Sequence, residues 1–195
     1  MYRKDRKQDP YTILAQKQGY PARSVYKLKE INEKYKIIRK GDSVLDLGSV
    51  PGSWLLYISQ KVGNKGKAVG VDTEDIEIIN KPNISFIKKN IFDLKEYDFE
   101  EKFQVVVSDL APKTSGVKFL DAEKSLELAE KSFEIARSIL IPGGNFVCKV
   151  FENESSSEFF KRVEEHFDFA KRFRPKAVIS TSKEFYIICR GFKSF

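Results

Sequence analysis

Charged residues stand at three places in this sequence where apolar strands would exclude them, and a fourth lies beside an apolar helical face. Asp109 follows Phe103-Gln-Val-Val-Val-Ser108 and precedes Leu110-Ala-Pro112. Lys149 sits inside Phe146-Val-Cys-Lys-Val-Phe151, where a lysine without a partner is costly to bury. Glu184 opens Phe185-Tyr-Ile-Ile188, and Lys27 follows Arg23-Ser24. Singly, each has an ordinary explanation: a structural aspartate at a strand end, a lysine snorkelling from an edge strand, a charge on a solvated face. Brought together where strand ends converge, they form a cluster able to hold, move or polarise a proton. The one histidine, His166, follows two glutamates near the end of a helical pattern, a surface or helix-end position. Histidine-based metal sites and Ser-His-Asp chemistry are thereby set aside, and the candidate base is a lysine or a carboxylate. Cys148 and Cys189 fall in apolar runs without C-x-x-C spacing and read as small buried hydrophobes, not a disulfide.

The elements that must carry these residues alternate. Residues 1–9 read as a flexible basic arm, followed by a short helical stretch up to Gly19. Pro21 can open a helix running to about Tyr35, with Val25, Leu28, Ile31 and Tyr35 on one face and Lys27 beside it. Strands are expected at 43–47, 68–71, 84–87, 103–108 and 145–151. Helices are expected at 53–61, 121–140 and 156–166, with Asp121 as an N-cap and Pro142-Gly143-Gly144 as the stop of the second. Two last strands, near 170–173 and 185–189, suggest an antiparallel hairpin. Strand-helix alternation with near-continuous apolar strands predicts an α/β sandwich around a mostly parallel sheet.

In such a fold the ligand binds at the carboxyl ends of the strands, where strand order reverses. After Val44-Leu45-Asp46-Leu47, the spacing Gly48-x-x-x-Gly52 lets the backbone approach a ligand, with Pro51 stiffening the turn; it is not G-x-G-x-x-G. Val69-Gly70-Val71-Asp72 then places a carboxylate at the end of the second strand, where it can accept ribose hydroxyl protons. A nucleoside-containing cofactor is expected.

The stretch D-L-G-S-V-P-G-S-W, residues 46–54, resembles the first motif of the FtsJ/RrmJ family of RNA ribose 2′-O-methyltransferases, written D-L-G-A-A-P-G-G-W. The departures are Ser49, Val50 and Ser53; Ser53 in place of glycine would tighten the approach on that side. S-V-Y-K-L, S-D-L-A-P-K-T-S-G, P-G-G-N-F-V-C-K-V-F and S-K-E-F-Y-I resemble the family's later segments in order, over roughly residues 10–192. The resemblance implies a Rossmann-like methyltransferase fold with a mostly parallel seven-stranded sheet, helices on both faces and an antiparallel C-terminal strand. It implies S-adenosyl-L-methionine held by Gly48, Pro51, Gly52, Ser53 and Trp54, with Asp72 on its ribose. Alignment puts Asn90 near the adenine, where it can donate and accept, with Asp93 three residues on. The implied catalytic tetrad is Lys27, Asp109, Lys149 and Glu184. Asp109 touches both cofactor and cluster, and Lys149 accepts the 2′-hydroxyl proton or polarises that hydroxyl, provided nearby charge and desolvation depress its pKa. Lys27 supplies that charge and steers the RNA, and Glu184 orients the lysines.

At 195 residues, 41% hydrophobic and 32% charged, the chain reads as one soluble domain: a basic arm and short helix over 1–20 and a catalytic core over 21–193. No apolar run spans a bilayer and no signal peptide is evident, so a cytoplasmic monomer is expected. The +7 net charge is uneven: residues 1–40 carry twelve Lys/Arg against four Asp/Glu, a net of +8. Arg3, Lys4, Arg6, Lys7, Lys17, Arg23 and Lys29 can track phosphates, Tyr11 and Tyr20 can stack on bases, and Arg172, Arg174 and Lys176 can extend the groove. RNA is the expected partner. The resemblance favours a uridine of large-subunit ribosomal RNA, with the tRNA anticodon loop as the nearest alternative. From other classes, an NAD-dependent oxidoreductase would leave the tetrad unused, and a cofactor-free RNA-binding module would have no selective pocket.

Overall fold

The computed structural model describes residues 9–76, 81–113 and 115–193. Helix α1 (Pro10–Lys17) starts on Asp9, whose carboxylate accepts the Thr12 N–H at 2.8 Å. Helix α2 (Val25–Tyr35) begins four residues later than Pro21 suggests. The intervening residues are held by tertiary bonds instead: Ala22 N–H donates to Ser53 Oγ, and Trp54 Nε1 donates to the Ser24 carbonyl.

The chain then runs β1 (Ser43–Leu47), α3 (Ser53–Val62), β2 (Lys67–Asp72), β3 (Ile84–Lys88), β4 (Phe103–Ser108), α4 (Lys118–Ile139), β5 (Leu140–Phe151), α5 (Ser156–Glu164), β6 (Phe167–Phe173) and β7 (Glu184–Phe192). Two expectations at α4 are corrected. Asp121 lies in the first turn, not at the cap, and its carboxylate accepts from both the N–H and the hydroxyl of Ser115. Pro142-Gly143-Gly144 does not terminate the helix; the chain turns directly from Ile139 into β5. The glycines sit in an irregularity of that strand, where the register with β4 jumps between Phe103↔Leu140 and Val105↔Asn145.

The seven strands lie in the order β3-β2-β1-β4-β5-β7-β6. All are parallel except β7, which is antiparallel to both neighbours. The hairpin expected from the sequence is present, with β7 wedged inward between β5 and β6. Burial explains that order: Phe185 to Cys189 are all buried, as an interior strand requires, whereas β6 carries exposed Lys171 and suits the sheet edge. One face of the sheet packs on α4 and α5 through Phe133, Ala136, Ile139, Phe146 and Phe159. The other packs on α2 and α3 through Leu28, Ile31, Leu55, Ile58 and Val147. Strand order reverses between β1 and β4, and the crevice this leaves at their carboxyl ends is where a ligand of this architecture belongs. Among the described residues no helix is long and apolar enough to cross a membrane.

Candidate active site

The four charged residues do come together. Asp109 is the first residue beyond β4, anchored by its N–H to the Leu47 carbonyl of β1. Lys149 and Tyr186 are directly paired across β5 and β7, so their side chains rise from the same face, and Glu184 joins them one alternation earlier on β7. Lys149 Nζ lies 3.0 Å from Asp109 Oδ1 and donates to the Asp109 main-chain carbonyl at 2.6 Å. Tyr186 donates its hydroxyl to the same Oδ1 at 2.6 Å. From α2, Lys27 reaches Glu184 Oε1 at 2.5 Å, with its Nζ 5.8 Å from the centre of the Tyr186 ring. Ser182 Oγ holds the other carboxylate oxygen of Glu184. Tyr186 and Ser182 escaped the sequence reading. The signal for Tyr186 was its spacing of two from Glu184 on one strand face.

Burial and charge act on this cluster in opposite directions. Burial by itself would raise the Asp109 pKa, but the Lys149 and Lys27 charges and the Tyr186 hydroxyl outweigh it and leave the carboxyl below its usual range. Burial would lower that of Lys27, yet the Asp109 and Glu184 carboxylates leave it raised. The Tyr186 hydroxyl, buried and facing those two carboxylates, is pushed well above its ordinary value and serves as a donor. Beneath the cluster, Asp46 is fully buried, and neither carboxylate oxygen has a hydrogen-bond partner among the described residues. Burial first, then the Asp109 and Asp72 charges, raise its pKa strongly.

Beside the cluster a cleft of about 320 Å³ opens at the strand ends, lined by Gly48, Asp72, Asn90, Phe92, Leu110 and Lys113 among others. Gly48 has φ +81°, and a Cβ there would lie 2.7 Å from Leu110 Cδ2, so only glycine keeps this wall clear. The Asp72 carboxylate is tied to the turn: Oδ2 accepts the Val50 N–H, and Oδ1 accepts those of Thr73 and Glu74. Oδ2 keeps one acceptor position for a ligand hydroxyl. The polar rim and apolar floor fit a nucleoside-bearing cofactor. A larger hollow of about 590 Å³, between Arg39, Asp42, Gln104 and Arg190, lies at the opposite end of the strands, near the start of β4, and contains none of these residues.

The residues expected around a cofactor separate into two groups. Gly48, Asp72 and Asn90 line the cleft. Pro51, Gly52, Ser53 and Trp54 do not: Pro51 is exposed, Gly52 caps α3, and the side chains of Ser53 and Trp54 bond to the segment before α2. Asp93 is exposed in the 3-10 turn Ile91–Asp93, outside the cleft, and Asp109 belongs to the ion-pair cluster one residue from Leu110.

The basic groove is also revised. Arg3, Lys4, Arg6 and Lys7 lie outside the described residues. Tyr20 is buried with its hydroxyl on Gln60 and Lys29 over its ring, so it does not face outward as a base-stacking ring would. Tyr11 packs on Tyr26, and Arg23 pairs with Asp9 while donating to the Ala177 carbonyl. Arg172 is bound to Glu152 and the Ser156 carbonyl, and Arg174 to carbonyls of the β6–β7 connection. Lys17 and Lys176 remain exposed.

A parallel sheet with one inserted antiparallel strand, a glycine-walled cleft at the switch point and a Lys-Asp-Lys-Glu cluster beside it define a methyltransferase. The chain belongs to the FtsJ-like methyltransferase family, whose sequence model matches residues 20–192. This sets aside the oxidoreductase and the cofactor-free binding module. Ribosomal RNA large subunit methyltransferase E of Desulfatibacillum aliphaticivorans is 45% identical over 183 residues, covering 92% of this chain and 88% of its own. The protein of the same name from Lawsonia intracellularis is 40% identical over 193 residues and 96% of each chain. Among solved structures, a ribosomal RNA methyltransferase from Plasmodium falciparum superposes with a TM-score of 0.80 at 26% identity, covering 89% of this chain and 98% of that one. Aeropyrum pernix fibrillarin, solved with natively bound S-adenosyl-L-methionine, shares the fold with a TM-score of 0.60 at 17% identity, over 85% of this chain and 76% of that one.

Proposed function

We propose that this protein transfers a methyl group from S-adenosyl-L-methionine to a ribose 2′-hydroxyl of RNA, at a uridine of the large ribosomal subunit. The observation that carries this reading is the joined cluster of Lys149, Asp109, Tyr186, Lys27 and Glu184 beside a cleft of nucleoside character. The names of the relatives, which cover nearly the whole chain, support the ribosomal substrate.

The sulfonium of the bound cofactor supplies a methyl group already activated for transfer, so the protein's task is the acceptor hydroxyl. Asp72 and Asn90, both lining the cleft, hold the nucleoside portion. Lys149 faces the 2′-hydroxyl and polarises it or takes its proton as the new O–C bond forms. Asp109, charged and held by Tyr186, fixes the position of that amine. Lys27, kept protonated by its carboxylate neighbours, steers the RNA phosphate or ribose, and Glu184 prevents it from swinging onto Asp109.

Incubation with labelled cofactor and, separately, hypomethylated large ribosomal subunits, free 23S RNA and tRNA, followed by mapping of the modified nucleotide, tests this reading. Label at a ribose 2′-oxygen of a large-subunit uridine is the expected result. Label confined to tRNA would overturn the substrate, and label on a base would overturn the reaction.

A further inference from the structure

We propose that Arg174 is a positioning residue for the Lys27–Glu184 ion pair, acting through the β6–β7 connection. The inference rests on the catalytic role given above to that pair.

The guanidinium of Arg174 makes no ion pair among the described residues. Its hydrogen bonds go to main-chain carbonyls of the ten residues that follow it. Nη2 donates to the Ser182 carbonyl at 2.6 Å and shares its protons with those of Ile179 at 3.2 Å and Ser180 at 3.4 Å, while Nη1 reaches the Glu184 carbonyl at 3.4 Å. A planar fork is thus closed over a connection that has no regular secondary structure of its own.

The residue it grips most closely, Ser182, is the one that aims the carboxylate. Ser182 donates its hydroxyl to Glu184 Oε2 and accepts the Glu184 N–H, each at 3.2 Å. With Oε2 so held, Oε1 is the oxygen left to meet Lys27 at 2.5 Å. The opposite side of the connection is fastened to the Lys27 helix. Arg23, one turn before Lys27, donates to the Ala177 carbonyl at 2.5 Å, and Glu30, one turn after it, accepts the Lys176 N–H at 2.7 Å. Lys27 and Glu184 therefore meet between two backbone attachments, and Arg174 holds the carboxylate's side of the contact. Nη2 is bound to three carbonyls and Nη1 to a fourth, so the backbone already engages this guanidinium and the geometry favours positioning over an RNA contact.

The test is a double-mutant cycle in single-turnover methyl transfer to large ribosomal subunits, with Arg174→Ala, Glu184→Gln and both together, each variant's Tm checked first. Arg174→Ala should lower the rate about tenfold, with the KM for RNA and the affinity for S-adenosylmethionine within about twofold of wild type. In the Glu184→Gln background the same change should cost less than about twofold, because the residue it positions no longer carries the charge. Arg174→Lys, which keeps the charge and loses the fork, should resemble Arg174→Ala. Losses that multiply in the double variant, or a raised KM for RNA with an unchanged rate and full rescue by lysine, would overturn the positioning role. A wild-type protein that methylates no RNA in this assay would overturn the function proposed above, independently of Arg174.

Discussion

Lys149 Nζ is bound twice by a single residue: at 3.0 Å by the carboxylate of Asp109 and at 2.6 Å by its main-chain carbonyl. One amine thereby ties the end of β4 to the inner part of β5, across the point where the cofactor cleft begins. A lysine whose side chain is only 6% exposed cannot drift to solvent, and its place is set by backbone as much as by charge.

Lys149→Ala should retain S-adenosylmethionine binding by calorimetry and lose methyl transfer by a factor on the order of a hundred or more. It also leaves the Asp109 carboxylate short of its nearest cation, so a destabilisation of about 3–5 kcal/mol in denaturant unfolding is expected. Near-normal turnover on the cognate RNA would remove Lys149 from the mechanism.

The two roles open to Lys149 make opposite demands. Proton acceptance needs the neutral amine and polarisation needs the ammonium, so the single-turnover rate should rise with pH in the first case and fall in the second. The pH profile of wild type, compared with that of Tyr186→Phe, distinguishes them. Removing the tyrosine hydroxyl should lower the rate about tenfold and cost about 1.5–3 kcal/mol of stability, since it deletes a hydrogen bond to a charged carboxylate.

Gly48→Ala should weaken cofactor binding about tenfold or more while leaving the tetrad in place. The added methyl meets Leu110 at 2.7 Å, and φ of +81° costs an L-residue about 1–2 kcal/mol. Titration calorimetry with the cofactor and with its demethylated product reads the effect, and an unchanged Kd for both would place the ligand elsewhere.

Stability should depend on pH through three carboxyl and amine groups in separate windows. Asp109 has a lowered folded pKa, so its contribution is complete above its unfolded value of about 3.9 and is lost as pH falls through the folded value. Lys27 has a raised one, so its contribution is complete below about 10.4 and is lost as pH rises through the folded value. Asp46 runs the other way. Folding favours its protonated form, so stability declines as pH climbs from about 4 toward the folded pKa. Asp46→Asn should therefore narrow the difference in unfolding free energy between pH 5 and pH 8. A difference equal to that of wild type would show that Asp46 does not titrate in this range.

The sequence by itself determined the alternation of elements, the glycine turn after β1, the carboxylate after β2 and the four charged residues that interrupt or border apolar segments. These are local facts: periodicity, a residue type that burial would otherwise exclude, and a spacing that only one backbone geometry satisfies. Tertiary structure decided what depends on partners distant in sequence. Pro21 lost the start of its helix to bonds from Ala22 and Ser24 into α3, and Pro142-Gly143-Gly144 became a strand irregularity because β4 lies alongside it. Ser53 and Trp54 bond to the segment before α2, and Arg172 and Arg174 to backbone carbonyls, because partners brought close by folding engage them. Tyr186 entered the cluster only through its register opposite Lys149. Spacing along one chain announces which groups are unusual; which of them meet is set by sheet order and register, and these arise only when the hydrophobic faces close.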